Sequence, residues 1–491
     1  MKRIFTLALV CLALLGATAC STNPATGRSS FTAFMDKDDE KRVGAQEHPK
    51  LVKQFGGKYS DRELAAYVSR IGAELAAQTE TPGVDYSFTV LNDDLINAFA
   101  LPGGYVHVTR GLLALASNEA EMAGVLAHEL GHVTARHSAE RYSQGVVAGV
   151  GATILGVAGS IVGVPGVGQA AGYGAQAYVQ SYSRDQEFEA DKLGIRYMTR
   201  AGYDPEAMAS FFKKMDAYTQ LQATMAGNPG AADQFSVMAS HPRTGDRVQQ
   251  AIRLAKIAPI ANSKINERTY LSHIDGMVFG DSRNQGVRRG RQFAHPGLGI
   301  AFEVPSGFVL SNSPGQVTAK GPRGAVIVFD MERNRDRSRS VKPSDYIARA
   351  GGNRLKFQAI QEIDVNGMDA ATGVAKVRID RGFVDVRLVA VRERPGRLYR
   401  FLFLTPAAAT ESLATDFRRT TYSFKRLSAS EARSVRPLRL KVVTVEEGDT
   451  SESLSRQMPF GSYRLERFLA MNGLGKGQPL IPGQPVKIIV D

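Results

Sequence analysis

Along residues 36–256 apolar side chains recur at three- and four-residue intervals, most clearly over 64–77, 119–141 and 187–200, and this spacing predicts amphipathic helices. Two stretches break that rhythm and predict strands: 86–91, and 104–109 behind the turn signal Pro102-Gly103. Past a connector at 257–290 the texture changes to short β-rich runs such as 324–329 and 383–389, with helical stretches near 343–350 and 407–417. Residues 291–428 are therefore expected to form an α+β domain. Residues 437–491 read as a compact tail with its own turn chemistry. Between 142 and 183 no side chain is charged, and 145–164 is apolar enough to suggest a membrane span, but ten glycines between 145 and 174 point to tight packing or bends. A groove-lining helical excursion and a membrane-dipping hairpin both stay open for 145–183.

At the N-terminus Lys2 and Arg3 precede an uncharged run, 4–15, and then Ala17-Thr18-Ala19. This is the charged, apolar and small-residue succession of an export signal, too short to span a bilayer as a stable helix. Ala17-Thr18-Ala19-Cys20 resembles a bacterial lipobox, whose cysteine is lipidated after cleavage; a plain cut after Ala19 is the alternative. Residues 1–19 are read as a lipoprotein signal peptide and the polar, turn-rich 20–35 as a tether. Ser21 after the cysteine resembles outer-membrane sorting. The other cysteine, Cys11, lies inside the signal, so the mature chain is expected to hold no disulfide and to rely on its core or on metal.

Over 491 residues, 43% hydrophobic and 22% charged side chains fit folded domains, about three by length, and exclude collagen-like, coiled-coil and wholly disordered classes. The net charge of +13 is unevenly spread: residues 1–260 hold 24 Lys and Arg against 25 Asp and Glu, and residues 261–491 hold 37 against 23. A polyanionic partner therefore belongs to the second half only. The alternating Arg333, Arg335, Arg337 and Arg339 lack the interleaved aromatics that stack bases, and an exported chain has no nucleic acid to meet, so none is expected as a partner.

The chemistry concentrates in His128-Glu129-Leu130-Gly131-His132. Asn118, with Glu121 three residues on, reads as a helix N-cap with a reciprocal partner just ahead of it. On a helix His128 and His132 share a face and can present two imidazoles to one zinc ion, while Glu129, rotated by about 100°, can reach a water on that ion. A catalytic zinc takes three protein ligands. The long metzincin form fails, because Ala135 and Ser138 stand where Gly and His would be needed. In the acidic cluster Glu187-Phe188-Glu189-Ala190-Asp191, Glu187 and Asp191 share a face, so one carboxylate could bind zinc while the other orients a ligand histidine. Glu189 points elsewhere, as a solvated or salt-bridged acid.

Together these motifs resemble the membrane-associated gluzincin peptidases of the HtpX and BepA type, peptidase family forty-eight of the metallopeptidases, over about 36–256. The stretches 97–105 and 108–113 resemble the strand those enzymes place along the active-site edge. The resemblance implies His128, His132 and Glu187 as ligands of one zinc ion per chain, Glu129 as general base and Asp191 behind the ligands. It also implies that the strand at Gly104, Tyr105, Val106 and His107 pairs with an extended substrate. His241, which Pro242 keeps out of helix, matches a His-Pro element of the family: it would stabilise the oxyanion, or take the open zinc position and hold the enzyme latent, with a capping or packing role as the bland alternative. His48, His107, His137, His273 and His295 have no ligand-spaced company and read as packing residues.

The tail resembles a LysM module, a β-α-α-β unit that binds N-acetylglucosamine-containing glycans, through 445–450, Leu454, 472–474 and 482–488. Ser451, at a usually hydrophobic position, and the insertion 458–461 depart from that pattern. The expected architecture is thus multidomain: a mainly α-helical zincin-type (gluzincin) peptidase domain at 36–256 with a small active-site sheet, then the α+β domain, then the LysM-like module. The expected function is a zinc metalloendopeptidase of the bacterial envelope, on its periplasmic face, anchored to the outer membrane through lipidated Cys20. It would contact peptidoglycan through 441–490 and act on unfolded or misassembled envelope proteins in quality control. A cell-wall-binding or chaperone-like lipoprotein that seldom cuts is the competing class.

Overall fold

The computed structural model describes residues 20–149, 182–225, 227, 241, 245–257, 261–332, 341–352, 355–379 and 382–491. The signal segment 1–19, most of the uncharged 142–183 stretch, Pro242 and the alternating arginines at 333–340 lie outside the described residues. Two compact units emerge, and their boundary does not follow chain order: one holds the described residues up to Gly280 together with Leu438–Asp491, the other holds Asp281–Pro437. Among the described residues no helix is long and apolar enough to cross a membrane.

The first unit opens with a hairpin, β1 (Cys20–Thr22) and β2 (Ser29–Phe31), followed by α1 (Lys37–Gln54) and α2 (Arg62–Ala76). Asp61 caps α2, whose buried stripe is Leu64, Tyr67, Val68, Ile71 and Leu75. A three-stranded sheet follows, from β3 (Ser87–Leu91), β4 (Ala98–Leu101) and β5 (Tyr105–Thr109). Its order is β3-β5-β4, with β3 parallel and β4 antiparallel to β5. The strand expected to receive a substrate, Gly104 to His107, is therefore central and already paired on both sides; β4 has no second strand neighbour among the described residues. Gly103 and Gly104, both at positive φ (79° and 92°), make the tight turn that folds β4 back onto β5.

After α3 (Arg110–Leu115), α4 (Glu119–Thr134) and α5 (His137–Gly149) come α6 (Arg184–Arg200), α7 (Glu206–Met225), α8 (Gly245–Ile257), α9 (Glu267–Ile274) and the short β6 (Val278–Phe279). Asn118 caps α4 by accepting from the Glu121 amide, 2.8 Å. The expected reciprocal bond is absent: the Glu121 carboxylate accepts instead from the Ser117 amide and from Lys214 Nζ, 2.7 and 2.6 Å, because a buried lysine on α7 competes for it. Helices α4 and α6 cross with almost no side chain between them. A Cβ on Gly131 would stand 3.0 Å from the Ala190 carbonyl oxygen, and one on Gly194 would stand 3.0 Å from the His128 nitrogen. This close approach lets short carboxylate side chains on α6 reach imidazoles on α4.

The second unit is antiparallel sheet with helices. Strands β7 (Val287–Arg289), β8 (Gln292–His295) and β9 (Ile300–Glu303) precede β10 (Val309–Ser313), β11 (Gln316–Lys320) and β12 (Val326–Met331). Then come α10 (Pro343–Ala350), β13 (Gln358–Asp364), β14 (Asp369–Ile379), β15 (Gly382–Arg394), β16 (Arg397–Pro406), α11 (Thr410–Ser423) and β17 (Lys425–Arg426). The larger sheet runs β10-β11-β12-β16-β15-β14-β13 and the smaller β17-β9-β8-β7, around a core rich in phenylalanine. This unit carries 28 Lys and Arg against 15 Asp and Glu, whereas Leu438–Asp491 carries 7 against 6. The basic excess expected across the second half therefore belongs to this unit and not to the tail.

The tail returns to the first unit. Its β18 (Leu438–Thr444) pairs with both β6 and β19 (Pro485–Val490), with two short helices, Ser451–Arg456 and Arg464–Asn472, between the strands. Leu440, Leu454, Phe468, Val486 and Ile488 join the apolar core that also holds Val68, Leu126 and Tyr197. Lys487 Nζ donates to the carbonyls of Ala114, Leu115 and Ala116 at 2.9, 2.9 and 2.7 Å, satisfying groups that the end of α3 leaves open. Burial opposes charge there and pushes Lys487 well below the usual lysine range. Lys487→Met should strand three buried carbonyls and cost about 2 kcal/mol, read as a lower urea midpoint for this unit; an unchanged midpoint would mean that apolar contacts alone dock the tail.

Candidate metal centre

His128 and His132, one helical turn apart on α4, aim their Nε2 atoms at each other across 3.0 Å. Ser183 caps α6 and closes a capping box with Gln186, which sets Glu187 in the first turn of that helix. Glu187 Oε2 lies 3.6 Å from His128 Nε2, and Oε1 lies 3.6 Å from His132 Nε2. His241 enters between them, its Nδ1 being 3.2 Å from His128 Nε2 and 2.8 Å from Glu187 Oε1. All four donor atoms fall within 4.8 Å of one another, and all four residues are buried. Donors placed tetrahedrally around one zinc ion stand about 3.3 Å apart, so this N/N/N/O set fits zinc in both number and spacing.

The surroundings complete the electrostatics. His128 Nδ1 faces Asp191 Oδ1 at 2.9 Å, and Arg247 on α8 grips both Asp191 oxygens through Nε and Nη2, 2.8 and 2.7 Å, with Nη1 2.6 Å from Glu187. Burial would raise the Asp191 carboxyl, but Arg247 and His128 outweigh it and hold the group down at about 2. Glu187 is likewise lowered against burial, by His241 and Arg247. Burial works against a charged His241, yet the carboxylates of Glu187 and Glu129 carry it above its ordinary value. Glu129 stands apart: burial pushes its carboxyl up, Oε1 lies 3.3 Å from His241 Nε2, and neither oxygen makes a hydrogen bond among the described residues.

The structure brings together His128, Glu129, His132, Glu187, Asp191 and His241. It leaves Gly104, Tyr105, Val106 and His107 out of any edge: His107 is fully buried, stacked on Phe99 and bonded to His48 Nδ1 at 2.9 Å. Cys20 begins β1, and its side chain is outside the described residues. Three contributors were not singled out by sequence. Arg247 had a weak signal, since a buried Asp191 requires a cation. Tyr182 stacks on the His132 ring with centroids 3.9 Å apart. His137, read as a packing residue, meets His132 Nδ1 at 2.8 Å, because α5 starts immediately beyond α4 and turns its first side chain back toward the centre.

Residues 62–255 match the family model Peptidase family M48. Among curated proteins the chain is 30% identical over 245 residues to the beta-barrel assembly-enhancing protease of Escherichia coli strain K12, covering 48% of each. It is 28% identical over 229 residues to a putative beta-barrel assembly-enhancing protease of Vibrio cholerae, covering 45% of each. It is 29% identical over 233 residues to the mitochondrial metalloendopeptidase OMA1 of Schizosaccharomyces pombe, covering 46% of this chain and 64% of that one. The chain thus spans about half the length of the bacterial relatives it matches. The matched stretch contains both histidines of α4 and the acids of α6, so over residues 62–255 this chain is similar to the peptidases of family M48 and sets there a group of side chains that could hold one metal ion.

Proposed function

We propose that this protein is a zinc-dependent endopeptidase of the bacterial envelope that hydrolyses peptide bonds of unfolded or misassembled envelope proteins. The observation that carries this reading is Glu129, a buried carboxyl without hydrogen bonds beside four converging donors. A general base needs oxygens not committed to hydrogen bonds, and among the described residues Glu129 faces the His241 ring at 3.3 Å without bonding to it. His128, His132 and Glu187 would hold the zinc. When bound, zinc supplies Lewis acidity and brings the pKa of water down toward 7. Glu129 takes the proton of the attacking water and returns it to the leaving amine.

The position of His241 Nδ1 within the donor set favours a resting state in which this histidine is the fourth ligand and must yield before a substrate enters. With β5 paired on both sides, an extended substrate would add to β4. The names of the bacterial relatives support envelope proteins as substrates, and the signal-like N-terminus with Cys20 supports an outer-membrane anchor on the periplasmic face. A near-neutral tail means that peptidoglycan contact through 441–490 would rest on sugar recognition rather than charge.

Metal analysis of the purified chain with a casein-type assay tests the reading. One zinc per chain is expected, with cleavage abolished by a chelator and restored by zinc. Stoichiometric zinc with no cleavage, in wild type and His241→Ala alike, would instead make the protein a chaperone-like binder.

A further inference from the structure

Each ligand imidazole on α4 turns Nε2 toward the donor cluster and so exposes Nδ1 behind it. For His128 that nitrogen meets Asp191, itself held by Arg247. For His132 no carboxylate meets Nδ1 among the described residues. Its Nδ1 meets His137 Nδ1 at 2.8 Å, and His137 Nε2 lies 3.5 Å from Glu189 Oε2. With Nε2 committed to the cluster, His132 donates Nδ1–H to His137, which in turn presents Nε2–H to Glu189. Glu189 is not a solvated acid: Oε1 accepts from Asn23 Nδ2 at 2.7 Å and Thr26 Oγ1 at 2.6 Å, and Oε2 accepts from Arg28 Nη1 at 2.8 Å.

All three donors lie on the β1–β2 hairpin, within eight residues of Cys20. The hairpin is braced by its own bonds, the Asn23 amide to the Arg28 carbonyl at 2.7 Å and the Ala25 amide to Asn23 Oδ1 at 2.8 Å. Arg28 also reaches Glu140 on α5 at 3.4 Å, and Glu140 accepts from Gln186 on α6 at 2.9 Å, so the hairpin ties together the helices that carry His137 and Glu189. Both ligand histidines therefore end in a carboxylate gripped by an arginine, directly for His128 and through one relaying histidine for His132.

We propose that the hairpin following Cys20 is a working part of the metal centre: Asn23, Thr26 and Arg28 fix Glu189, Glu189 fixes His137, and His137 sets the tautomer and direction of His132. His137 and Glu189 are positioning residues, and the segment expected to be a mere tether governs how tightly the site holds zinc. This rests on the reading that zinc occupies the cluster.

The test is zinc affinity of the full chain, by competition with a chromophoric chelator, alongside thermal melting of the zinc-free protein. His137→Phe should weaken zinc by about 10- to 100-fold, and His137→Gln, whose amide can still face Nδ1–H, should recover part of that loss. Arg28→Ala combined with Asn23→Ala, on the more accessible side of the chain of contacts, should weaken zinc in the same direction while zinc-free melting stays at the wild-type value. Wild-type zinc affinity in both His137→Phe and the hairpin variant would overturn the inference, as would a loss of affinity matched by an equal fall in zinc-free melting. A wild-type chain that binds no zinc would instead remove the metallopeptidase reading itself.

Discussion

Glu129→Gln should reduce peptide cleavage by about 10²- to 10⁴-fold while leaving zinc content at one per chain. The amide keeps the shape of the side chain but cannot take a proton from water, and Glu129 lies outside the donor set, so the metal has no reason to leave. A second signature separates this from damage to the fold. The carboxyl is buried and, among the described residues, makes no hydrogen bond, facing only the His241 ring at 3.3 Å, so a neutral amide of the same shape should leave melting near the wild-type temperature. Loss of function with unchanged or raised stability marks a group kept for chemistry. Unchanged cleavage of an unfolded protein by this variant would sink the mechanism.

Arg247→Met should have the largest effect on stability. The guanidinium bridges Asp191 and Glu187, all three residues being buried; removing it strands two carboxylates out of water, at a cost of about 3–5 kcal/mol. The pH dependence should change sign as well. In the wild type the Asp191 pKa is depressed to about 2, so its contribution is present above the unfolded value of about 3.9 and is lost as pH falls toward 2. Without Arg247, burial dominates and raises the carboxyl above its unfolded value, so that stability declines as pH rises through the acid range. Arg247→Lys should recover only part of the loss, because an ammonium cannot grip both oxygens of Asp191 in a fork. Urea titrations of the zinc-free protein at several pH values measure both effects.

The histidine pair of α4 and the acidic pair of α6 were legible because the helical repeat converts spacing into direction, residues four apart sharing a face; that Glu187 rather than Asp191 joins the donors was implied only by the family resemblance. The order of the sheet was not legible in the same way. Ala98-Phe99-Ala100-Leu101 is buried throughout and shows no alternation, so nothing local announces that β4 takes the outer place and leaves β5 in the middle. His137 was hidden because its role depends on the angle between α4 and α5, and Glu189 because its donors lie more than 160 positions earlier in the chain. The docking of the tail left one trace, a lysine inside the apolar run Pro485–Val490. A lone cation there had to find acceptors, and the open carbonyls at the end of α3 supply them. The charge imbalance was real, but summing it over half the chain joined a basic unit to a nearly neutral tail.

The core of the first unit is laid down by helices between residues 62 and 274 and completed by strands and helices after Leu438, with an entire second unit emerging in between. Synthesis runs from one end, so Leu440, Phe468 and Ile488 arrive long after Val68 and Leu126, whose core they join. At about 5–20 residues per second, tens of seconds separate the two events. The order of the chain thus leaves this apolar core without its last contributors until the final segment has been made.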